Sequence, residues 1–231
     1  METNTRAIKC FGYYIVKALP SPEWCTLKAD NILLAGDNGL SEKFPDLEKC
    51  FWANYPETYR VQYQKYLRLT DAEFAELRGL IAELFANDLI SGGARFARFE
   101  DVKRIYKYLK NVNGYKIIGL FTDLKTYAVY EEDGFFKNIM TAKECTAQKD
   151  KIGCEILGGE SLGSNSFFFD SYIINSLNKV LEARFGEKYM VDIQNGLVQN
   201  SFEETQSFCD LLQGQGEPVE WTAFEVYEFA V

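Results

Sequence analysis

The sequence predicts an α+β protein, with antiparallel β-hairpins or a mixed sheet and three or four helices packed around a single core. Strand-like runs come in adjacent pairs instead of alternating one by one with helices, which favours antiparallel pairing over a doubly wound sheet. Helix-like runs are introduced by start signals, two of them capping boxes. A composition of 47% hydrophobic and 26% charged residues over 231 positions is that of a folded chain with a sizeable core. One domain, 1–231, is expected, with Ser91-Gly92-Gly93 as the weak place for a boundary.

Taken in order, residues 7–19 read as a strand through Tyr13, Tyr14, Ile15 and Val16, closed by Pro20 and Pro22. The short apolar run 31–35 ends in Gly36-Asp37-Asn38-Gly39. That tetrapeptide is read as a tight turn, because the regular acidic spacing of a calcium loop does not continue beyond it. Residues 44–52 suit one or two helical turns. Tyr59, Val61 and Tyr63 alternate with Arg60, Gln62 and Gln64, so 59–69 reads as a half-solvated strand. Thr70 with Glu73 forms a capping box, and Phe74, Leu77, Ile81, Leu84 and Phe85 then supply an amphipathic helical stripe. Val102, Ile105 and Leu109 give 99–109 the same period.

Residues 115–130 hold two β-like runs, KIIGLF and TYAVY, and the link from Thr122 to Lys125 predicts a hairpin. The polar stretch 137–151 suits a helix from Thr141. In 153–186, Cys154, Ile156 and Leu157 predict a buried strand, followed by a glycine-serine loop and a helix that Gly186 ends. A strand is expected over 189–193. Ser201 with Glu204 is the second capping box, ahead of Phe202, Phe208 and Leu211, and 219–229 reads as a terminal strand.

Several chemistries fall away on composition. The chain has no histidine, so it has no Ser-His or Cys-His nucleophile, no imidazole base and no histidine-containing metal cage. Six cysteines, Cys10, Cys25, Cys50, Cys145, Cys154 and Cys209, include no C-x-x-C pair and read as reduced, mostly buried thiols. No signal-type segment and no run long enough to span a bilayer is present, so a cytoplasmic protein without membrane attachment is expected. No cofactor and no metal is expected. The subtraction leans against an enzyme, though carboxylate and magnesium chemistry remain open.

Charge is unevenly spread. Arg95, Arg98, Lys103, Arg104, Lys107, Lys110 and Lys116 against Glu100 and Asp101 give 95–116 a balance of +5, leaving −14 for the rest of a chain whose total is −9. That surrounding field disfavours direct nucleic-acid binding, and the basic segment reads instead as a solvated helix edge facing an acidic neighbour in the fold. From 189 to 231 there are eight acidic residues and no Lys or Arg. Glu217, Glu220, Glu225 and Glu228 surround Trp221 and Tyr227, the composition of a surface that docks on a basic partner.

The leading expectation is therefore a non-enzymatic acidic binding protein of the inhibitor, immunity or anti-defence type, bacterial or phage in origin, which blocks a basic surface of a partner protein. The alternative is a small enzyme or nucleotide-binding protein. It would use the glycine-serine loop over 158–166, where Gly159, Ser161, Gly163 and Ser164 would hold an anion on backbone N–H groups. That loop has the glycine spacing of a P-loop but lacks its lysine, and Glu160 opposes phosphate.

Overall fold

The computed structural model describes residues 7–20, 31–34, 61, 64–90, 95–109, 114–134, 140–158, 183, 193–194, 197–213 and 221–231. Its frame is an antiparallel sheet of seven strands: β1 (Ile8–Pro20), β2 (Asn31–Leu34), β3 (Tyr115–Asp123), β4 (Lys149–Gly158), β5 (Ile193–Gln194), β6 (Leu197–Val198) and β7 (Trp221–Phe229). They lie in the order β2-β1-β3-β7-β4-β6-β5, so the last strand of the chain is the middle strand of the sheet. Four helices have bounds among the described residues: α1 (Asp71–Ala86), α2 (Phe99–Tyr106), α3 (Leu124–Glu132) and α4 (Phe202–Leu212). The α+β architecture is as the sequence predicts, and strands from both sides of residues 91–93 share the one sheet.

The two capping boxes form as expected. Thr70 Oγ1 accepts from Glu73 N at 3.3 Å while Glu73 Oε2 accepts from Thr70 N at 2.8 Å, and Ser201 and Glu204 repeat the exchange at 3.2 and 3.0 Å. Each box satisfies backbone donors that a helix start otherwise leaves open. Phe74, Leu77, Ile81 and Leu84 of α1 are buried, joined by Val102 and Ile105 of α2, and together they lie over Tyr13, Ile15, Ile117, Phe121 and Phe229 of the sheet. Burial of side chains of this size stabilises by about 1.5–3 kcal/mol each, which is what holds the helices on the strands. On the same face, α4 sets Phe202 and Cys209 against Cys154, Ile156, Trp221 and Ala223. On the opposite face α3 brings Tyr130 onto Phe11 and Phe224, with Tyr130 Oη donating to Thr222 Oγ1 at 2.6 Å.

Three expected elements are corrected. The second half of the 115–130 hairpin is helix α3: the Asp123 carboxylate accepts from Thr126 N at 2.8 Å and from Thr126 Oγ1 at 3.0 Å, a cap that starts a helix where a turn was read. Tyr127 and Tyr130 are buried three residues apart, the helical period, whereas alternation would set them on opposite faces. Residues 64–67, read as strand, are helical, and Leu69 N donates back to Gln64 O at 3.1 Å, with Arg68 at a positive φ of 55° ending the turn. Tyr66 and Leu67, adjacent and both apolar, break the alternation begun at Tyr59. Residues 140–148 form no helix but an irregular segment, pinned where Met140 N donates to Asp88 O and Lys143 N donates to Ala97 O. The expected helix in 44–52, that in 164–185 apart from residue 183, which is helical, and most of the expected strand 189–193 lie outside the described residues.

Two strand irregularities shape the sheet. The register of β1 against β3 shifts between Cys10 and Gly12, and there the Arg95 side chain lies against the backbone: a Cβ on Gly12 would stand 2.7 Å from Arg95 Cγ. The register of β4 against β7 shifts between Lys151 and Gly153, where Gly153 takes a φ of 151°. Such bulges redirect side chains beyond them.

Candidate functional site

The strand β7 carries most of the sequence-predicted docking residues, and its alternation divides them. Trp221, Ala223, Glu225, Tyr227 and Phe229 face α1, α2 and α4, while Thr222, Phe224, Val226 and Glu228 face α3. Glu225 and Glu228 therefore stand on opposite faces of the sheet, a consequence of the two-residue period of a strand.

Trp221, expected as an exposed aromatic anchor, is 7% exposed and packs with Cys154, Ile156 and Phe202. Glu225 is buried between neighbouring strands: Lys151 Nζ donates to its Oε1 at 2.7 Å and Tyr227 Oη to its Oε2 at 3.2 Å. Tyr227 is half-buried, its ring edge-on to Phe121 at 5.1 Å between centroids. The Lys149 ammonium sits 3.6 Å from the Phe121 centroid and 4.9 Å from that of Tyr227, a cation held against aromatic faces. On the other face Lys116 Nζ donates to Glu228 Oε2 at 2.7 Å. The lysines that the last 43 residues lack are thus supplied by β3 and β4. Lys116, Lys149 and Lys151 were legible as charges in the sequence but not as partners, because the pairing spans 112 positions for Lys116 and 74 for Lys151.

Among the described residues of the C-terminal third, α4 carries exposed acidic surface. Glu203, Glu204 and Asp210 are exposed on it, beside half-buried Phe208 and Leu211. The hydrogen bond from Ser201 N, then that from the Ser201 hydroxyl, holds the Glu204 carboxyl below its ordinary range and so keeps it ionised. Glu217 and Glu220 lie outside the described residues.

The basic segment meets the acidic neighbour it was expected to face. Arg104 pairs with Glu83 and Lys107 with Glu76 of α1, each at 3.4 Å, and Asp101 holds both Arg98 and Arg104. Hydrogen bonds from Tyr108 and Lys107 lower the Glu76 carboxyl. Arg95 departs from the expected solvated edge: it is 1% exposed, its Nε donates to Phe11 O at 2.7 Å, and burial lowers its pKa. No sequence signal marked it, since burial of a cation depends on what the fold lays over it.

Of the glycine-serine loop, Gly159, Ser161, Gly163 and Ser164 all lie outside the described residues. Among the described residues no group of three or more Cys, Asp or Glu side chains converges in a way that would hold a metal ion, and no helix is long and apolar enough to cross a membrane. Cys10, Cys145, Cys154 and Cys209 are free thiols. Comparison of the chain with protein-family models, with curated proteins and with solved structures finds no match.

Proposed function

We propose that this chain is a binding protein of the inhibitor type, which docks on a basic surface of a partner protein through acidic surface in its C-terminal third. The supporting observation is α4, which exposes Glu203, Glu204 and Asp210 within a stretch, 189–231, that has no Lys or Arg. The strand acids Glu225 and Glu228 pair with Lys151 and Lys116, so they add little net field, and the proposal rests on the exposed carboxylates of α4. Such a surface steers encounter by charge, and half-buried Phe208 and Leu211 supply apolar contact beside it. An immunity or anti-defence protein acting in the cytoplasm would work in this way.

The test is capture of partners from host lysate on the immobilised chain at low and high salt, run in parallel with a Glu203→Lys/Asp210→Lys variant whose thermal midpoint is measured first. The expected outcome is a basic protein held by the native chain at low salt, released at high salt and not held by the equally stable variant. Equal retention of that protein by both chains, or retention indifferent to salt, overturns the acidic-surface reading.

A further inference from the structure

Residues 140–148 lie against the core cluster beneath α1 and α2 in neither helix nor strand, and separate parts of the fold hold them there. Met140 N donates to Asp88 O at 3.0 Å, just past the end of α1, where Asp88 takes a positive φ of 55°. Lys143 is bound at both of its backbone groups: its N donates to Ala97 O at 2.9 Å, and its O accepts from Tyr13 Oη at 2.7 Å. At the far end Gln148 O accepts from Ala230 N at 3.3 Å. We propose that this segment is a strap that opens as one unit while the sheet beneath it stays folded, with the Tyr13 hydroxyl as its latch.

What the strap buries is small. Lys143, Glu144, Thr146 and Gln148 are exposed, Cys145 and Ala147 are half-buried, and Ala142 alone in the segment is buried. Opening therefore returns little apolar area to water, and its cost lies mainly in the hydrogen bonds, which water replaces in part. The layer below is held differently. Tyr13 and Phe96 exchange both backbone bonds, at 3.0 and 2.8 Å, and β1 is paired with β3 from Ile8 to Lys17. The Tyr13 ring is fully buried, tilted against Phe99 at 5.6 Å and edge-on to Phe229 at 5.5 Å between centroids, so its hydroxyl is a donor fixed to the sheet and not to the strap. Breaking the two bonds at Lys143 frees the middle of the segment at a single residue. The open state presents Tyr13 Oη and the side of the core cluster on which Ala142 and Ala147 rest, a surface that the closed state hides.

The experiment is amide hydrogen exchange of the full chain, read residue by residue by NMR at several low urea concentrations. The expected result is that Met140 and Lys143 share one opening equilibrium, at least tenfold more populated than the one that exposes the Tyr13 and Phe96 amides. Strap opening should depend little on urea, because it exposes little surface, whereas opening at Phe96 should depend on it steeply. Tyr13→Phe keeps the ring and removes the donor. Protection at Met140 and Lys143 should then fall about fivefold, matching the fall in the global unfolding equilibrium, because the latch bond is lost in the open and in the unfolded state alike. Exchange of Met140 and Lys143 with the same equilibrium and urea dependence as Phe96 overturns the proposal, as does opening of the two at unrelated equilibria. Unchanged strap protection in a folded Tyr13→Phe chain overturns the latch, and if that variant does not fold, the native chain alone decides between strap and sheet.

Discussion

Lys151 Nζ donates to Glu225 Oε1 at 2.7 Å, joining β4 to the central strand at a carboxylate whose side chain is 11% exposed. Because the lysine is 37% exposed, its pairing is screened, and Lys151→Met should cost about 1 kcal/mol of unfolding free energy. Glu225→Gln keeps the shape and removes the charge. In a double-mutant cycle by urea unfolding the two substitutions should couple by a few tenths to about 1 kcal/mol, and strictly additive effects would show that the pair stabilises nothing.

The helix starts offer a second check. Thr70→Ala and Ser201→Ala each remove a side-chain acceptor from a first turn and should each lower stability by about 1 kcal/mol in denaturant unfolding. A loss near zero for either would mean that the box does not hold its helix.

The α4 cap should also respond to pH. The Glu204 carboxyl is lowered in the folded chain, so its contribution is present above the ordinary glutamate pKa and disappears as pH falls through the depressed folded value. Protection of the amides at the start of α4, relative to their intrinsic exchange, should therefore fall as the pH drops below the ordinary glutamate range. Glu204→Gln, which keeps the acceptor without the titration, should flatten that dependence. Identical pH profiles for the two chains would contradict the assignment.

Arg95 and Gly12 make a pair of the opposite kind, in which one residue is small because the other is close. A methyl on Gly12 meets Arg95 Cγ, so Gly12→Ala should cost about 1–3 kcal/mol through overpacking. Arg95→Met removes the donor that reaches Phe11 O and should cost a similar amount, about 1–3 kcal/mol. Thermal and urea unfolding of both variants measure this. A neutral Gly12→Ala would show that the arginine moves aside without loss.

The legible part of this molecule is the part with local causes. Both capping boxes, the buried stripe of α1, the strand character of 8–20 and 221–229, and the presence of an acidic neighbour for the basic segment follow from residues close together or from charge alone, whereas Glu83 and Glu76 as its partners come from the fold. The Asp123 cap was equally local but lay inside a stretch whose β-rich residues, Thr126, Tyr127, Val129 and Tyr130, argued for a strand; burial of the two tyrosines on Phe11 and Phe224 decided otherwise.

What the tertiary structure alone decided is where the acids act. The sequence by itself determined an α+β fold, two firm helix starts and a C-terminal third without cations. Only the sheet order placed the last strand in the middle, buried Trp221, sent Glu225 and Glu228 to opposite faces and matched each with a lysine from a strand far away in sequence. Caps and periodicities are written within a few residues, whereas the neighbours of a central strand are chosen by long-range pairing that no short window contains.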